Sequence, residues 1–127
     1  MNEPLWLLDE AVLIAHEISL AQFGGSDGIR DAALLESALA RPKNLFAYSK
    51  PTFMQLAAAY TYGIVRNHPF VDGNKRTGFL AGAAFLELNG LKLRATETDA
   101  TSIIVGVAAG GVTEEQLAQW YEGNVTR

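Results

Sequence analysis

At 127 residues the chain is long enough for one hydrophobic core and too short for two, so a single domain spanning residues 1–127 is expected. Hydrophobic residues make up 49% and charged residues 19%, a globular balance that excludes intrinsic disorder. Fourteen acidic against ten basic residues leave a net charge of −4 with no basic stripe, which argues against nucleic acid as a partner, and the absence of cysteine excludes disulfides and thiolate zinc sites. Glu3, Asp9 and Glu10 interrupt the apolar N-terminus where a signal peptide would need a basic leader. The apolar runs AGAAFLEL and SIIVGVAAGGV are too short to span a membrane, so the expectation is a soluble, cytoplasmic protein.

Helical periodicity dominates the chain. Residues 9–23 place Val12, Leu13, Ala15, Ile18 and Leu20 on a broad apolar stripe, and the run Gly24-Gly25-Ser26-Asp27-Gly28 breaks it. Asp31 can cap a second helix carrying Leu34, Leu35, Ala38 and Leu39. Arg41-Pro42 is expected to end that helix, because a residue before proline disfavours helical backbone, leaving residues 43–51 as a loop. Thr52 opens a third helix with Phe53, Leu56, Ala57, Tyr60 and Ile64 on one face.

After a loop at 67–73, residues 74–89 read as a fourth helix ended by Gly90. It is apolar nearly all round, which predicts a position at the centre of a bundle. Gly78 and Gly82, four apart, would let a neighbouring helix approach closely. Residues 91–94 form a short extended link, 99–109 a fifth helix stopped by Gly110-Gly111, and Thr113-Glu114-Glu115-Gln116 a capping box for a last helix through Trp120. The expected fold is an all-α, single-domain bundle around a central buried helix.

Between the third and fourth helices lies His68-Pro69-Phe70-Val71-Asp72-Gly73-Asn74-Lys75-Arg76-Thr77. A helix start leaves backbone N–H groups unpaired at the positive end of the helix dipole, which makes it an anion site. Gly73 permits a sharp turn and a close approach to a ligand, and Asn74, Lys75 and Arg76 add donors and positive charge, as phosphate binding requires. Asp72 would be repelled by bare phosphate; beside a phosphate cradle its sensible task is to hold Mg²⁺. His68, before a proline, is expected in extended backbone, with an imidazole suited to taking a proton from a hydroxyl near pH 7. Taken singly each residue has a bland explanation: a structural histidine, an Asp72 N-cap, an Asp-Gly turn, solvated cations. Jointly these do not explain the clustering, whereas base, metal ligand and cradle together suit group transfer from a nucleoside triphosphate. The Walker A spacing is absent.

The segment resembles the Fic/Doc signature H-x-F-x-[D/E]-[G/A]-N-[G/K]-R, matched at His68, Phe70, Asp72, Gly73, Asn74, Lys75 and Arg76. Gly28-Ile29-Arg30-Asp31, Leu34-Leu35-Glu36-Ser37-Ala38 and Arg41-Pro42 upstream, with Phe85-Leu86 and Asn89-Gly90 downstream, are similar to the Doc (death-on-curing) branch. The resemblance implies His68 as general base, Phe70 as the loop's anchor, Asp72 as Mg²⁺ ligand, and phosphate contacts from Asn74, Arg76 and the Gly73 backbone. Lys75 replaces the glycine of the AMP-transferring branch, and Phe79 stands where that branch has a second arginine. In the Doc branch this lysine goes with γ-phosphate transfer from ATP. The implied function is thus a toxin that phosphorylates a Ser or Thr hydroxyl of a protein such as elongation factor Tu, blocking translation, restrained by a Phd-like antitoxin. AMP transfer, and a catalytically silent antitoxin-binding module, are the alternatives.

Family members that restrain themselves carry [S/T]-x-x-x-E-[G/N]; here Glu122-Gly123 is preceded by Ala118 at the Ser/Thr position, so inhibition in trans is expected. The 43–51 loop carries Phe46 and Tyr48, where the resemblance implies a target-docking flap; the equal alternative is that both pin the loop to the core. His16 is expected on the surface of the first helix, and Trp6 and Trp120 in packing roles. Arg66 either widens the positive pocket or pairs with an acid.

Overall fold

The computed structural model describes residues 2–127. Six helices follow in chain order: α1 (Asp9–Phe23), α2 (Ala32–Tyr48), α3 (Phe53–Asn67), α4 (Asn74–Leu88), α5 (Glu97–Ala109) and α6 (Glu114–Gly123). Their starts follow local chemistry. The Asp31 carboxylate accepts from the Leu34 N–H, and Thr52 and Thr113 each form a reciprocal capping box, with Gln55 and Gln116 respectively. Two short strands, β1 (Lys92–Leu93) and β2 (Val125–Thr126), pair antiparallel in the register Lys92↔Thr126 and Leu93↔Val125 and tie the last residues back to the link after α4.

α3 is the centre of the bundle, with α2, α4, α5 and α6 all packed against it. Its small residues Ala57, Ala58, Ala59, Thr61 and Gly63 let neighbours approach from several sides, and all are buried. The apolar-all-round pattern pointed to α4 instead. That helix meets α3 through Gly78 and Gly82 and leaves Leu80 and Leu88 partly in solvent on the far side. The glycine spacing has the predicted consequence. A Cβ on Gly78 would meet the Val65 side chain and the Thr61 carbonyl, and one on Gly82 would strike the hydroxyls of Thr61 and Tyr121. Those hydroxyls form a buried relay: Thr61 donates to the Gly78 carbonyl at 2.7 Å and receives Tyr121 at 2.7 Å. Burial pushes the Tyr121 phenol up, and that of Tyr60 to about 12, so both stay neutral.

The proline reading needs correction. α2 continues through Pro42 to Tyr48 instead of stopping at Arg41, so the connection to α3 shrinks from the predicted 43–51 to residues 49–52. Proline removes one helical N–H and crowds the carbonyl four residues back. Here that loss is offset by packing beyond the proline: Pro42 is buried, and Phe46 in the following turn meets the Trp6 ring edge-on at 5.7 Å. Tertiary burial outweighs the local preference.

Candidate active site

The loop from α3 to α4 begins at His68, which caps α3 in left-handed backbone (φ 52°, ψ 53°). It is the one non-glycine residue with a positive φ among the described residues. The expected extended conformation is therefore overturned. The His68 N–H still completes a helical bond to the Ile64 carbonyl at 3.1 Å, and the connection between α1 and α2 holds the loop from there to Val71. Arg30 Nε donates to the His68 carbonyl at 2.7 Å and its Nη2 to the Asn67 carbonyl at 3.0 Å. The N–H groups of Arg30 and Asp31 both donate to the Pro69 carbonyl, Ile29 bridges antiparallel to Phe70, and the Val71 N–H reaches the Gly28 carbonyl at 3.0 Å. Left-handed backbone at a non-glycine residue costs about 1–2 kcal/mol, which these non-local bonds offset.

Phe70 anchors the loop. It is fully buried and stacked on the His16 ring, centroids 3.8 Å apart and planes 11° off parallel. His16 is thus not the surface residue the sequence suggested; it is 3% exposed. Its Nε2 lies 2.8 Å from the Asp72 carbonyl, and since a carbonyl only accepts, the ring proton sits on Nε2 in this contact. Drawing that carbonyl inward turns the Gly73 N–H the opposite way, because the two are antiparallel across a trans peptide. Asn74 closes the loop from the other side: its Oδ1 accepts from the Phe70 N–H at 3.0 Å and its Nδ2 donates to the Phe70 carbonyl at 2.9 Å. The buried Asn74 carboxamide, read from sequence as a phosphate donor, is held by Phe70; its backbone N–H remains at the helix start.

Gly73 adopts φ 79° as the N-cap of α4, and no side chain among the described residues caps that helix. The Asp72 carboxylate is thus not an N-cap. It is exposed, accepts from the Gly73 N–H at 2.9 Å and the Ser26 N–H at 3.3 Å, and these two bonds, then the charges of Arg76 and Lys75, hold it below the usual carboxylate range. A Cβ on Gly25 would collide with the Asp72 carboxylate, so the glycine run after α1 is fitted around it. Among the described residues no group of three or more acidic, histidine or cysteine side chains could enclose a metal. One exposed, ionised carboxylate beside an uncapped helix start is instead the donor set that suits Mg²⁺ shared with phosphate oxygens. Lys75 and Arg76 are exposed at that start, with the Arg76 guanidinium 4.2 Å from the centre of the Phe23 ring.

The structure thus brings together His68, Asp72, Gly73, Asn74, Lys75 and Arg76. It does not bring Phe46 and Tyr48 to them. Both lie in the last turn of α2, at the other end of α3 and about 22 Å away along fifteen helical residues. Phe46 packs on Trp6, while Tyr48 is 89% exposed beside Arg41 and Asn44, and residues 43–48, expected in a loop, are helical. Arg66 takes neither role foreseen for it; it donates to the carbonyls of Val107 and Ala108 and caps the end of α5. Trp6 and Trp120 pack, against Phe46 and Phe85 and against Phe79 and Tyr121 respectively. His16, Arg30 and the Ser26 amide were not foreseen at the site. The one signal for Arg30 was its place in a Gly-Ile-Arg-Asp run shared with the Doc branch.

An all-α domain whose histidine-to-arginine loop, locked by a buried aromatic and a buried asparagine, opens onto an uncapped helix start defines a narrow class of helical proteins. The Fic/DOC family model matches residues 6–86, from Trp6 through the motif to the last turn of α4. An alignment 90 positions long, covering 68% of the chain, is 43% identical to Toxin Doc of Mycolicibacterium smegmatis, and that match spans 65% of the relative's length. The chain belongs to the Fic/Doc family. Among the described residues no helix is long and apolar enough to cross a membrane.

Proposed function

We propose that the chain is a cytoplasmic toxin that transfers the γ-phosphoryl group of ATP to a Ser or Thr hydroxyl of a protein such as elongation factor Tu, and that a Phd-like antitoxin restrains it. The observation that carries this reading is the uncapped start of α4, with exposed Lys75 and Arg76, flanked on one loop by the ionised Asp72 and by His68. The unpaired N–H groups of the first turn and the two cations suit the phosphates of ATP. Asp72 would hold Mg²⁺, which supplies charge neutralisation on the phosphate oxygens. The His68 imidazole would take the proton of the acceptor hydroxyl as its oxygen bonds to the γ-phosphorus and the bond to ADP breaks.

Phe79 supports phosphoryl over AMP transfer. It is half-buried against Trp120, ring centroids 6.4 Å apart, so an apolar packing residue stands where the AMP-transferring branch has a second arginine. The curated relative's designation as a toxin supports the toxin role. The test uses ATP labelled on either the α- or the γ-phosphate, incubated with Mg²⁺, the protein and bacterial extract. Transfer of the γ-label alone to a protein is expected. Transfer of the α-label would replace the reading with AMP transfer, and transfer of neither would leave the binding-module alternative.

A further inference from the structure

We propose that Arg30 is a positioning residue for His68: its guanidinium holds the left-handed turn that aims the imidazole, an inference that rests on the reading of His68 as general base. Among the described residues the one imidazole given a hydrogen-bond partner is that of His16. The His68 ring therefore lacks the orienting carboxylate or carbonyl that usually fixes a catalytic histidine. The Cα–Cβ bond from which it projects is aimed by its own backbone, and that backbone is the one left-handed non-glycine position described.

The groups that hold this turn converge on Arg30. Its side chain donates to the carbonyls of residues 67 and 68 at 3.0 and 2.7 Å, and its N–H donates to the carbonyl of residue 69 at 2.7 Å. Three consecutive carbonyls of the chain that carries the base are thus bound by one residue. The guanidinium is not used in an ion pair; the salt bridge among the described residues is Arg41–Glu114. A fork of fixed geometry can hold two neighbouring carbonyls at once, which the single ammonium of lysine cannot reproduce. From the other side, Asn67 Nδ2 donates to the Leu34 carbonyl at 2.9 Å, so the residue before His68 is already tied to α2. What remains free to turn without Arg30 is residue 68 itself. Left-handed backbone is unfavourable for histidine, so without the fork it should relax and redirect the imidazole.

The test compares wild type, Arg30→Ala, Arg30→Lys and His68→Ala as full chains. In ¹H–¹³C spectra of the histidine rings, Arg30→Ala should shift or broaden the His68 peaks while leaving those of buried His16 in place, with partial recovery in Arg30→Lys. Phosphoryl transfer from γ-labelled ATP should fall tenfold to a hundredfold in kcat, as misplacement of a reacting group by about 1 Å does, with KM for ATP within twofold. Unchanged His68 peaks in folded Arg30→Ala would overturn the inference. So would peaks of both histidines moving together without recovery in Arg30→Lys, because that marks general loosening. If His68→Ala is inactive and Arg30→Ala has the wild-type kcat, the positioning role alone is lost. If His68→Ala transfers at the wild-type rate, the base reading itself has failed, whatever the spectra show.

Discussion

The two ends of α3 are built by different physics. At its start, Thr52 and Gln55 satisfy each other's backbone, so both capping partners lie within three residues. At its end, the chain turns through left-handed His68, and its partners come from residues 28–31 and 16, far away in sequence. The first end folds because of what its own sequence prefers. The second is held in a conformation its sequence disfavours, and that is where the proposed base, the Asp72 carboxylate and the proposed phosphate cradle sit. Strain stabilised from a distance is a means of fixing reacting groups that a self-sufficient turn does not offer.

The largest way to break this comparison is to remove a side chain from each end. His68→Ala should lower phosphoryl transfer by on the order of 10²–10⁴ while the far-ultraviolet circular dichroism stays that of the wild type. Tyr48→Ala, at the opposite end, should leave the rate within twofold, since its ring is exposed and remote from the motif. A Tyr48→Ala variant impaired as severely as His68→Ala would restore a target-docking role to the α2 terminus and put the active surface at both ends of α3.

The next effect is on stability. Asn74→Ala removes both hydrogen bonds to Phe70 and leaves a backbone N–H and a carbonyl unpaired in a fully buried residue. Each such group costs about 1–3 kcal/mol, so a loss of about 2–5 kcal/mol is expected, a large part of a typical domain's stability. Urea unfolding checks it. A midpoint unchanged from wild type would mean that water or a relaxed loop satisfies Phe70 and that the loop is not held from both sides.

The same contrast explains what could be read in the sequence. α1, α3 with its start at Thr52, α4 and the Thr113 capping box follow from periodicity and residues three apart, which are local signals; the Thr52–Gln55 box came from the structure. The motif residues were legible because seven specified positions fall in nine. Pro42 misled because local preference says stop while its own burial and the packing of Phe46 on Trp6 say continue. His16 misled because a lone histidine on a helix carries no mark of burial; its partners, Phe70 and the Asp72 carbonyl, lie 54 and 56 positions away. Extended backbone at His68 was the correct local preference and the wrong answer, because Arg30 acts on it across 38 positions. Non-local hydrogen bonds leave no periodic trace, so the part of the site most dependent on them was the least legible.

The smallest expected effect sharpens the comparison from the local end. Thr52→Ala deletes the hydroxyl that accepts from the Gln55 N–H at 3.1 Å and leaves the reciprocal Gln55 side-chain contact to the Thr52 N–H in place. Loss of an N-cap costs about 1 kcal/mol, which for a domain of this size lowers the melting midpoint by about 3–5 °C. Because Thr52 and Asn74 share no partner and lie at opposite ends of α3, the double variant Thr52→Ala, Asn74→Ala should lose the sum of the two single effects within about 0.5 kcal/mol. Phosphoryl transfer by Thr52→Ala should match wild type below its melting transition. A double variant departing from additivity by more than about 1 kcal/mol would show that the two ends communicate through α3, and the separation between a self-capped end and a remotely held one would have to be given up.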